Sequence, residues 1–176
     1  MLTGVVVLQP VPSHERWPAR AERDMARVRR ALGPACLAVH HVGSTSVPGL
    51  HAVPVIDLVA ELEGGLPAAA AVMRLLVHGF AAAAPEPSCT VHVADDVLTG
   101  YRQVELRCYP AGHEEVRMLA AFFALLRSAP AIAAEYDAMK HATRARHGAG
   151  SPGYRAEKLG WIRGRAATEP RAGARP

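Results

Sequence analysis

Residues 55–62 constrain the fold of this chain more than any other part of its sequence. The run Val-Ile-Asp-Leu-Val-Ala-Glu-Leu is apolar on both of its alternating faces except at Asp57 and Glu61, as expected of a strand in the interior of a sheet. A carboxylate in such a strand is costly to bury without a partner, so Asp57 is a candidate metal ligand.

The periodicity of apolar residues predicts the remaining elements. From Trp17 to Leu32, for example, apolar side chains recur at spacings of three and four residues, which predicts a helix that Ser13 caps. The order of the elements predicts an α+β fold, or a small α/β sheet with helices on one side. The predicted elements are an apolar run at 5–8, helices at 17–32 and 67–79, strands at 37–42, 55–62, 89–94 and 101–109, and three C-terminal helices that begin near residues 113, 128 and 151.

Length and composition indicate one globular domain. At 176 residues, half of them hydrophobic, the chain can bury a sizeable core. No apolar stretch approaches the ~20 residues of a membrane helix, and the N-terminus lacks the basic segment and cleavage site of a signal peptide. Cys36, Cys89 and Cys108 form no C-x-x-C pair and fit small core residues in a reducing compartment. The expected location is the cytoplasm.

The C-terminal third is strongly basic. Residues 140–176 carry a net charge of +7, which leaves −3 for the rest of a chain whose net charge is +4. We expect a single domain over residues 1–168, with an α/β half at 1–110, a helical half at 111–168 and a flexible basic tail at 169–176. A basic segment attracts phosphates or RNA, although a solvated basic surface has the same composition. The basic residues are Lys140, Arg144, Arg146, Arg155, Lys158, Arg163, Arg165, Arg171 and Arg175, against Glu157 and Glu169.

The segment between the first two predicted strands favours binding of a phosphorylated ligand. It reads His-Val-Gly-Ser-Thr-Ser-Val-Pro-Gly-Leu and, after three intervening residues, Pro-Val-Ile-Asp-Leu, over residues 41–58. Gly43 lets the backbone approach a bound group, and the N–H groups and hydroxyls of Ser44, Thr45 and Ser46 can hold phosphate oxygens. The alternative is a tight turn followed by one buried Asp.

This segment closely resembles the GrpB family of bacterial proteins. The Gly-Ser-Thr-Ser-Val-Pro-Gly-Leu run and the Pro-x-Ile-Asp strand carry the resemblance, together with Trp17 and its helix. The resemblance implies a nucleotidyltransferase-like mixed β-sheet with flanking helices and a C-terminal helical block. In that fold the Gly-Ser turn binds a nucleoside triphosphate, and Asp residues of the next strand hold divalent metal for in-line phosphoryl transfer. The later residues that match the family are Phe123, Leu126, Arg127, Pro130, Tyr136, Lys140, Tyr154 and Lys158.

The chain departs at three places from the patterns that the resemblance implies. Val59 stands where nucleotidyltransferases usually carry a second carboxylate, two residues after the first, although the GrpB family itself commonly shows only one Asp in this strand. Val53 stands where relatives usually have Lys, so an anion-binding cation is missing. The late strand, typically His-Leu-His, reads Glu105-Leu106-Arg107 in this chain, which indicates a changed ligand.

Glu105 and Arg107 therefore have two interpretations. If the strand of Glu105 lies beside that of Asp57, Glu105 is the missing acidic partner and a second metal ligand, and Arg107 binds an anionic group of the ligand. Alternatively, Glu105 and Arg107, about 7 Å apart on one face of their strand, form a surface ion pair.

Three more side chains have roles that the sequence leaves open or predicts to be structural. Lys158 either reaches a phosphate over the cleft or covers apolar surface with its stem. His92 either joins the pocket or is a hydrogen-bonded histidine without a functional role, and His41 is expected to be structural.

Three functions are compatible with these features. The first, which we favour, is a nucleotidyltransferase-like enzyme that binds a nucleotide or another phosphorylated small molecule and uses Mg²⁺ to transfer a nucleotidyl or related group to a small acceptor. The second is a non-catalytic accessory module, because relatives occur fused to dephospho-coenzyme A kinase. The third is a transferase that contacts RNA, such as tRNA, through the basic C-terminal third; no membrane partner is expected. The predicted catalytic and metal-binding residues are Asp57 and Glu105, and the predicted phosphate-binding residues are Gly43, Ser44, Thr45, Ser46, Arg107 and Lys158.

Overall fold

A mixed five-stranded sheet covered by helices forms the described part of the chain. The computed structural model describes residues 9–83 and 86–168, so the apolar run expected at 5–8 and the tail expected at 169–176 lie outside the described residues. The α+β prediction is confirmed. The helices are α1 (Arg16–Leu32), α2 (Ala69–Val77), α3 (Glu114–Ser128), α4 (Pro130–His147) and α5 (Pro152–Thr168), and the strands are β1 (Cys36–Val42), β2 (Ile56–Leu62), β3 (Ala81–Ala82), β4 (Thr90–Asp95) and β5 (Arg102–Pro110).

The strand predicted to be interior lies inside the sheet. The strand order is β1-β2-β5-β4-β3, and β2 pairs in parallel with β5 while the other pairs are antiparallel. In the parallel register Asp57 is opposite Glu105 and Val59 is opposite Arg107. Because paired residues of neighbouring strands point to the same face, Asp57 and Glu105 project side by side from one face of the sheet.

The two faces of the sheet are covered by different helices. Ile56, Leu58 and Ala60 of β2 pack into an apolar core with α1 and α2. The alternate residue Val59 packs with Tyr109 and the C-terminal helices α3, α4 and α5. The alternative of a small sheet with helices on one side is therefore excluded, because β2 is apolar on both faces and each face needs a cover.

The predicted N-terminal cap is present in α5 but not in α1. The Ser151 hydroxyl accepts a hydrogen bond from the Tyr154 N–H at 3.1 Å and caps α5, as predicted. Ser13 does not cap α1, which begins after Glu15. His14 takes that role, since its Nδ1 accepts the Arg16 N–H at 3.1 Å.

Aromatic side chains hold the C-terminal helices together above the sheet. Phe122 of α3 makes edge-on contacts with Tyr136 of α4 and Trp161 of α5, at centroid distances of 5.3 and 5.9 Å. This cluster fixes the polar residues of α4 and α5 over the face that carries Asp57. In the part of the chain that the structure describes, no single helix is long and apolar enough to cross a membrane; only α3 and α4 together meet that test, and they are bent by 114° where they join.

Candidate functional site

A cavity of about 340 Å³ lies between the sheet and the C-terminal helices. Its walls include six of the eight residues predicted as site residues, namely Gly43, Ser44, Thr45, Asp57, Glu105 and Lys158. These residues come from the turn after β1, from β2, from β5 and from α5. The fold thus brings into one cavity side chains that are more than 100 residues apart in the sequence.

Asp57 is the carboxylate at the centre of this cavity. Its side chain is partly buried, and no described residue donates a hydrogen bond to it or forms an ion pair with it. Burial is the main cause that raises the pKa of Asp57 from its ordinary 3.8 to about 6; the Glu105 charge adds to the rise, and Lys158 opposes it. At neutral pH Asp57 is therefore a mostly ionised carboxylate without a hydrogen-bond donor or ion-pair partner among the described residues.

Gly43 leaves room for that carboxylate. Its φ of +75° and ψ of 174° lie in a region that only glycine adopts readily. A Cβ at this position would lie 2.9 Å from the Asp57 Cβ and would overlap the carboxylate itself. The space that Gly43 opens is thus filled by Asp57 rather than left for a ligand.

Two hydroxyls of the turn hold its shape. The Thr45 hydroxyl donates to the Val55 carbonyl at 3.2 Å and lies 3.0 Å from His41 Nε2. The Ser46 hydroxyl accepts from the Arg127 guanidinium at 3.3 Å, and Ser46 is not among the residues that line the cavity. Burial, with a smaller contribution from Arg127, lowers the pKa of His41 to about 4, so this imidazole is neutral at pH 7 and structural.

Lys140 binds the third hydroxyl, that of Ser44. Its ammonium donates to Ser44 Oγ at 3.1 Å and to the His51 carbonyl at 2.6 Å, and lies 2.9 Å from Asp137 Oδ1. Lys140 is only 9% exposed, and burial lowers the pKa of its ammonium. Because this buried ammonium contacts three oxygen atoms, it connects the turn to α4.

Lys140 was not among the predicted site residues, although it belongs to the residues that match the family. One signal was present: Lys140 follows Tyr136 by four residues and so lies on the buried face of α4. Val53, one of the three departures described above, lines the same cavity. Arg102, Lys140, Arg144 and Lys158 are the Lys and Arg residues that line this cavity.

Glu105 and Arg107 form the ion pair that one of the two interpretations predicted. Arg107 Nη2 lies 2.6 Å from Glu105 Oε1, and Arg102 Nη1 lies 3.4 Å from Glu105 Oε2. Arg107 Nε also lies 3.6 Å from Glu86 Oε1, and Arg107 does not line the cavity. Glu105 therefore stands beside Asp57, as the other interpretation required, but both of its oxygens are engaged by guanidinium groups.

Of the two remaining candidates, Lys158 lines the cavity and His92 does not. Lys158 lines the cavity, and its Nζ lies 5.7 Å from the centroid of the Tyr154 ring. His92 lies outside the cavity wall and is buried, with its Nε2 3.2 Å from Thr90 Oγ1. Burial lowers the pKa of His92, which fits a neutral core histidine.

The basic C-terminal third is partly neutralised by acidic partners. Arg146 pairs with Glu157 and Arg165 pairs with Glu135. These contacts fit a solvated basic surface. Binding of RNA by this segment stays a prediction.

The sheet order, the turn after β1 and the carboxylate of β2 define a protein of nucleotidyltransferase-like fold. The structure is similar to that of the Cid1 poly(U) polymerase with Mg and 3'-dATP bound, at a TM-score of 0.55 and 12% identity, over 83% of this chain and 49% of Cid1. The sequence matches the GrpB protein family over residues 7–167. The chain therefore belongs to the GrpB family.

Individual relatives agree with this assignment. The crystal structure of GrpB from Enterococcus faecalis is similar at a TM-score of 0.71 and 24% identity, over 90% of this chain and 94% of that one. A UPF0157 protein of Halalkalibacterium halodurans is 33% identical over 114 residues, which are 64% of this chain and 57% of that protein. The match to the UPF0157 protein YqkA of Bacillus subtilis, 24% identical, covers 85% of this chain and 43% of YqkA, so the chain spans about half the length of these two relatives.

A further match is to part of an enzyme. A segment of 73 residues, 40% of this chain, is 40% identical to a dephospho-CoA kinase of Mycolicibacterium paratuberculosis and covers 18% of that protein.

Proposed function

We propose that this chain binds a nucleotide or another phosphorylated small molecule in the cavity, and that it transfers a nucleotidyl or related group to a small acceptor with the help of Mg²⁺. The observation that carries the proposal is the state of Asp57. Its carboxylate faces the cavity without a hydrogen-bond donor or ion-pair partner among the described residues. A partly buried charge of this kind favours a cation that arrives with the ligand.

The chemistry of the side chains suits Mg²⁺ bound mainly by Asp57. Mg²⁺ takes oxygen ligands and is often held by one or two carboxylates together with substrate phosphates. Glu105 is the second ligand if its contact with Arg102 or Arg107 opens. Bound there, Mg²⁺ would neutralise charge on the phosphoryl group. Cid1, which shares the fold, has been observed with Mg and 3'-dATP.

Other residues that line the cavity are suited to phosphate oxygens. Lys140 orients the Ser44 hydroxyl through its own hydrogen bond and has its other contacts within the protein. Lys158 lines the same cavity and makes no ion pair with a described residue. We therefore assign the anion contact to Lys158 and Ser44, and the metal contact to Asp57.

The test is a thermal-shift series with nucleoside triphosphates and coenzyme A precursors, each with and without Mg²⁺. A ligand that binds only the folded state raises the melting temperature. We expect a shift that requires Mg²⁺ in the parent, its loss in Asp57→Asn, and a weaker shift in Lys158→Met. Glu63→Gln is the matched control, because it removes one exposed carboxylate away from the cavity. If no nucleotide stabilises the parent, or if Asp57→Asn keeps the full Mg²⁺-dependent shift, the proposal is wrong.

A non-catalytic accessory role is the second candidate. Two observations favour it: Asp57 is the one cavity carboxylate without an ion pair among the described residues, and part of the chain is similar to a dephospho-CoA kinase. Turnover separates the two candidates. An enzyme releases product from the stabilising nucleotide in the presence of Mg²⁺ and stops when Asp57 is changed to Asn, whereas an accessory module binds the same nucleotide without consuming it.

A further inference from the structure

A second polar cluster lies where the loop between β1 and β2 meets α4. His51 Nδ1 lies 2.9 Å from Asp137 Oδ2, and His141 Nε2 lies 3.8 Å from the same oxygen. The two imidazole rings meet edge to face, with centroids 5.3 Å apart. One potential ligand atom from each residue lies within 4.8 Å of the other two. None of these residues takes part in the function proposed above.

We propose that His51, Asp137 and His141 form a site for a transition-metal ion of the Zn²⁺ type. Two ligand atoms of a tetrahedral zinc ion, each about 2.0–2.1 Å from the metal, lie about 3.4 Å from each other. The separations of 2.9 and 3.8 Å bracket that value, so small side-chain rotations are enough to admit an ion. Two histidines and one carboxylate are the ligand set of several zinc sites and of non-haem iron sites.

The surroundings of Asp137 direct one of its oxygens toward the two histidines. Lys140 Nζ pairs with Oδ1 at 2.9 Å, while Oδ2 faces the two histidines. A partner that holds one oxygen of a ligating carboxylate orients the other oxygen toward the metal. Because Lys140 also binds Ser44, metal at this cluster is connected to the Gly43–Ser46 turn through a single side chain.

The ligand set also selects the kind of metal. Imidazole suits Zn²⁺, Ni²⁺ and Fe²⁺, whereas Mg²⁺ prefers oxygen ligands. Three protein ligands leave one position of a tetrahedral ion open. His51 and His141 line both the cavity described above and a second groove between the loop and α4. The open position therefore has access to water or to a small ligand.

The experiment is a calorimetric titration of the metal-free chain, without a polyhistidine tag, with Zn²⁺ alone and separately with Mg²⁺ alone. We expect one Zn²⁺ per chain, at least 10-fold weaker binding in His141→Ala and in His51→Ala, and no comparable binding of Mg²⁺. The side chains of His51 and His141 are 45% and 54% exposed, so both variants are expected to fold, which circular dichroism checks. Co²⁺ absorption gives an independent report of the coordination geometry.

His78→Ala is the matched control, since it removes a histidine at the end of α2, away from the cluster. It should bind Zn²⁺ as the parent does, and so should Asp57→Asn. The inference would be overturned if the parent shows no saturable Zn²⁺ binding, or if the parent and both cluster variants bind Zn²⁺ with equal affinity. Loss of Zn²⁺ binding in Asp57→Asn alone would also overturn it, because the ion would then occupy the site proposed for Mg²⁺. The two proposals can therefore fail separately.

Discussion

The two faces of β2 differ in chemistry although they belong to the same seven residues. On the face toward α1 and α2, Ile56 and Leu58 are at most 1% exposed and belong to an apolar cluster. On the face toward the C-terminal helices, Asp57 of β2 has no ion-pair partner among the described residues, and its neighbour Glu105 of β5 is held by two guanidinium groups. Alternation along a strand makes this division possible, because successive side chains point to opposite faces.

One face of β2 therefore contributes mainly to stability, whereas the other carries the candidate site. The apolar face gains from burial and close packing. The opposite face keeps an ionised carboxylate in a partly closed cavity, which opposes folding unless a ligand compensates it. Leu58→Ala on the first face and Asp57→Asn on the second should therefore change the free energy of unfolding in opposite directions.

The largest effect is expected at the turn, for Gly43→Ala. Backbone strain at positive φ and overlap with Asp57 each cost about 1–3 kcal/mol, so we expect a loss of about 4 kcal/mol in the free energy of unfolding. Urea unfolding measures it. Gly49→Ala is the control, because Gly49 also has a positive φ, 86°, but open space around its Cβ position. Equal losses in both variants would show that Asp57 moves aside without cost.

Leu58→Ala tests the apolar face. Leu58 is 1% exposed between the sheet and α1. Removing its side chain leaves a cavity, and the expected loss is about 3 kcal/mol by urea unfolding, with ligand binding retained wherever the variant is folded. Val97→Ala, at a residue that is 98% exposed, should change stability very little. A loss below about 1 kcal/mol for Leu58→Ala would mean that this face is not the main core.

Asp57→Asn tests the site face and should have the opposite sign. The pKa of Asp57 rises from 3.8 to about 6 on folding, so the folded protein holds this proton more tightly than the unfolded chain. The ionised carboxyl group therefore opposes folding most strongly once the pH exceeds 6. This unfavourable contribution to the free energy of folding vanishes as the pH falls below 4. We expect Asp57→Asn to be more stable than the parent by about 2 kcal/mol at pH 8, with the difference shrinking toward pH 5.

Unfolding curves at several pH values measure this difference, and Glu63→Gln should show no comparable trend. A variant that is several kcal/mol less stable than the parent at pH 8 would identify Asp57 as a structural hydrogen-bond acceptor. The metal assignment would then have to be abandoned.

Arg107→Lys is expected to have the smallest effect. The Arg107 side chain is 29% exposed and pairs with Glu105 and Glu86 outside the cavity. Partly exposed pairs contribute less than about 1 kcal/mol, and Lys keeps the charge. We expect a nearly unchanged unfolding midpoint and an unchanged ligand shift in the thermal assay. Loss of the ligand shift would show that Arg107 turns toward the cavity when the ligand binds.

Much of the local structure could be read from the sequence. The apolar spacing in α1, the alternation in β2 and β5 and the Ser-Pro start of α5 are local patterns, and the elements they predicted are present. The two-residue strand β3, Ala81–Ala82, was missed because two alanines carry no pattern. Ser13 was misassigned because a neighbouring imidazole, that of His14, competes for the same N–H groups.

Local sequence patterns specified the helices and most strands, the turn after β1 and the presence of a carboxylate in an apolar strand. Only the tertiary structure decided that β5 lies parallel to β2, which sets Glu105 opposite Asp57. It also decided that Lys140 reaches Ser44, 96 residues away. The physical reason is that a local period specifies which face of an element is buried, whereas the partner on that face depends on how distant elements pack together.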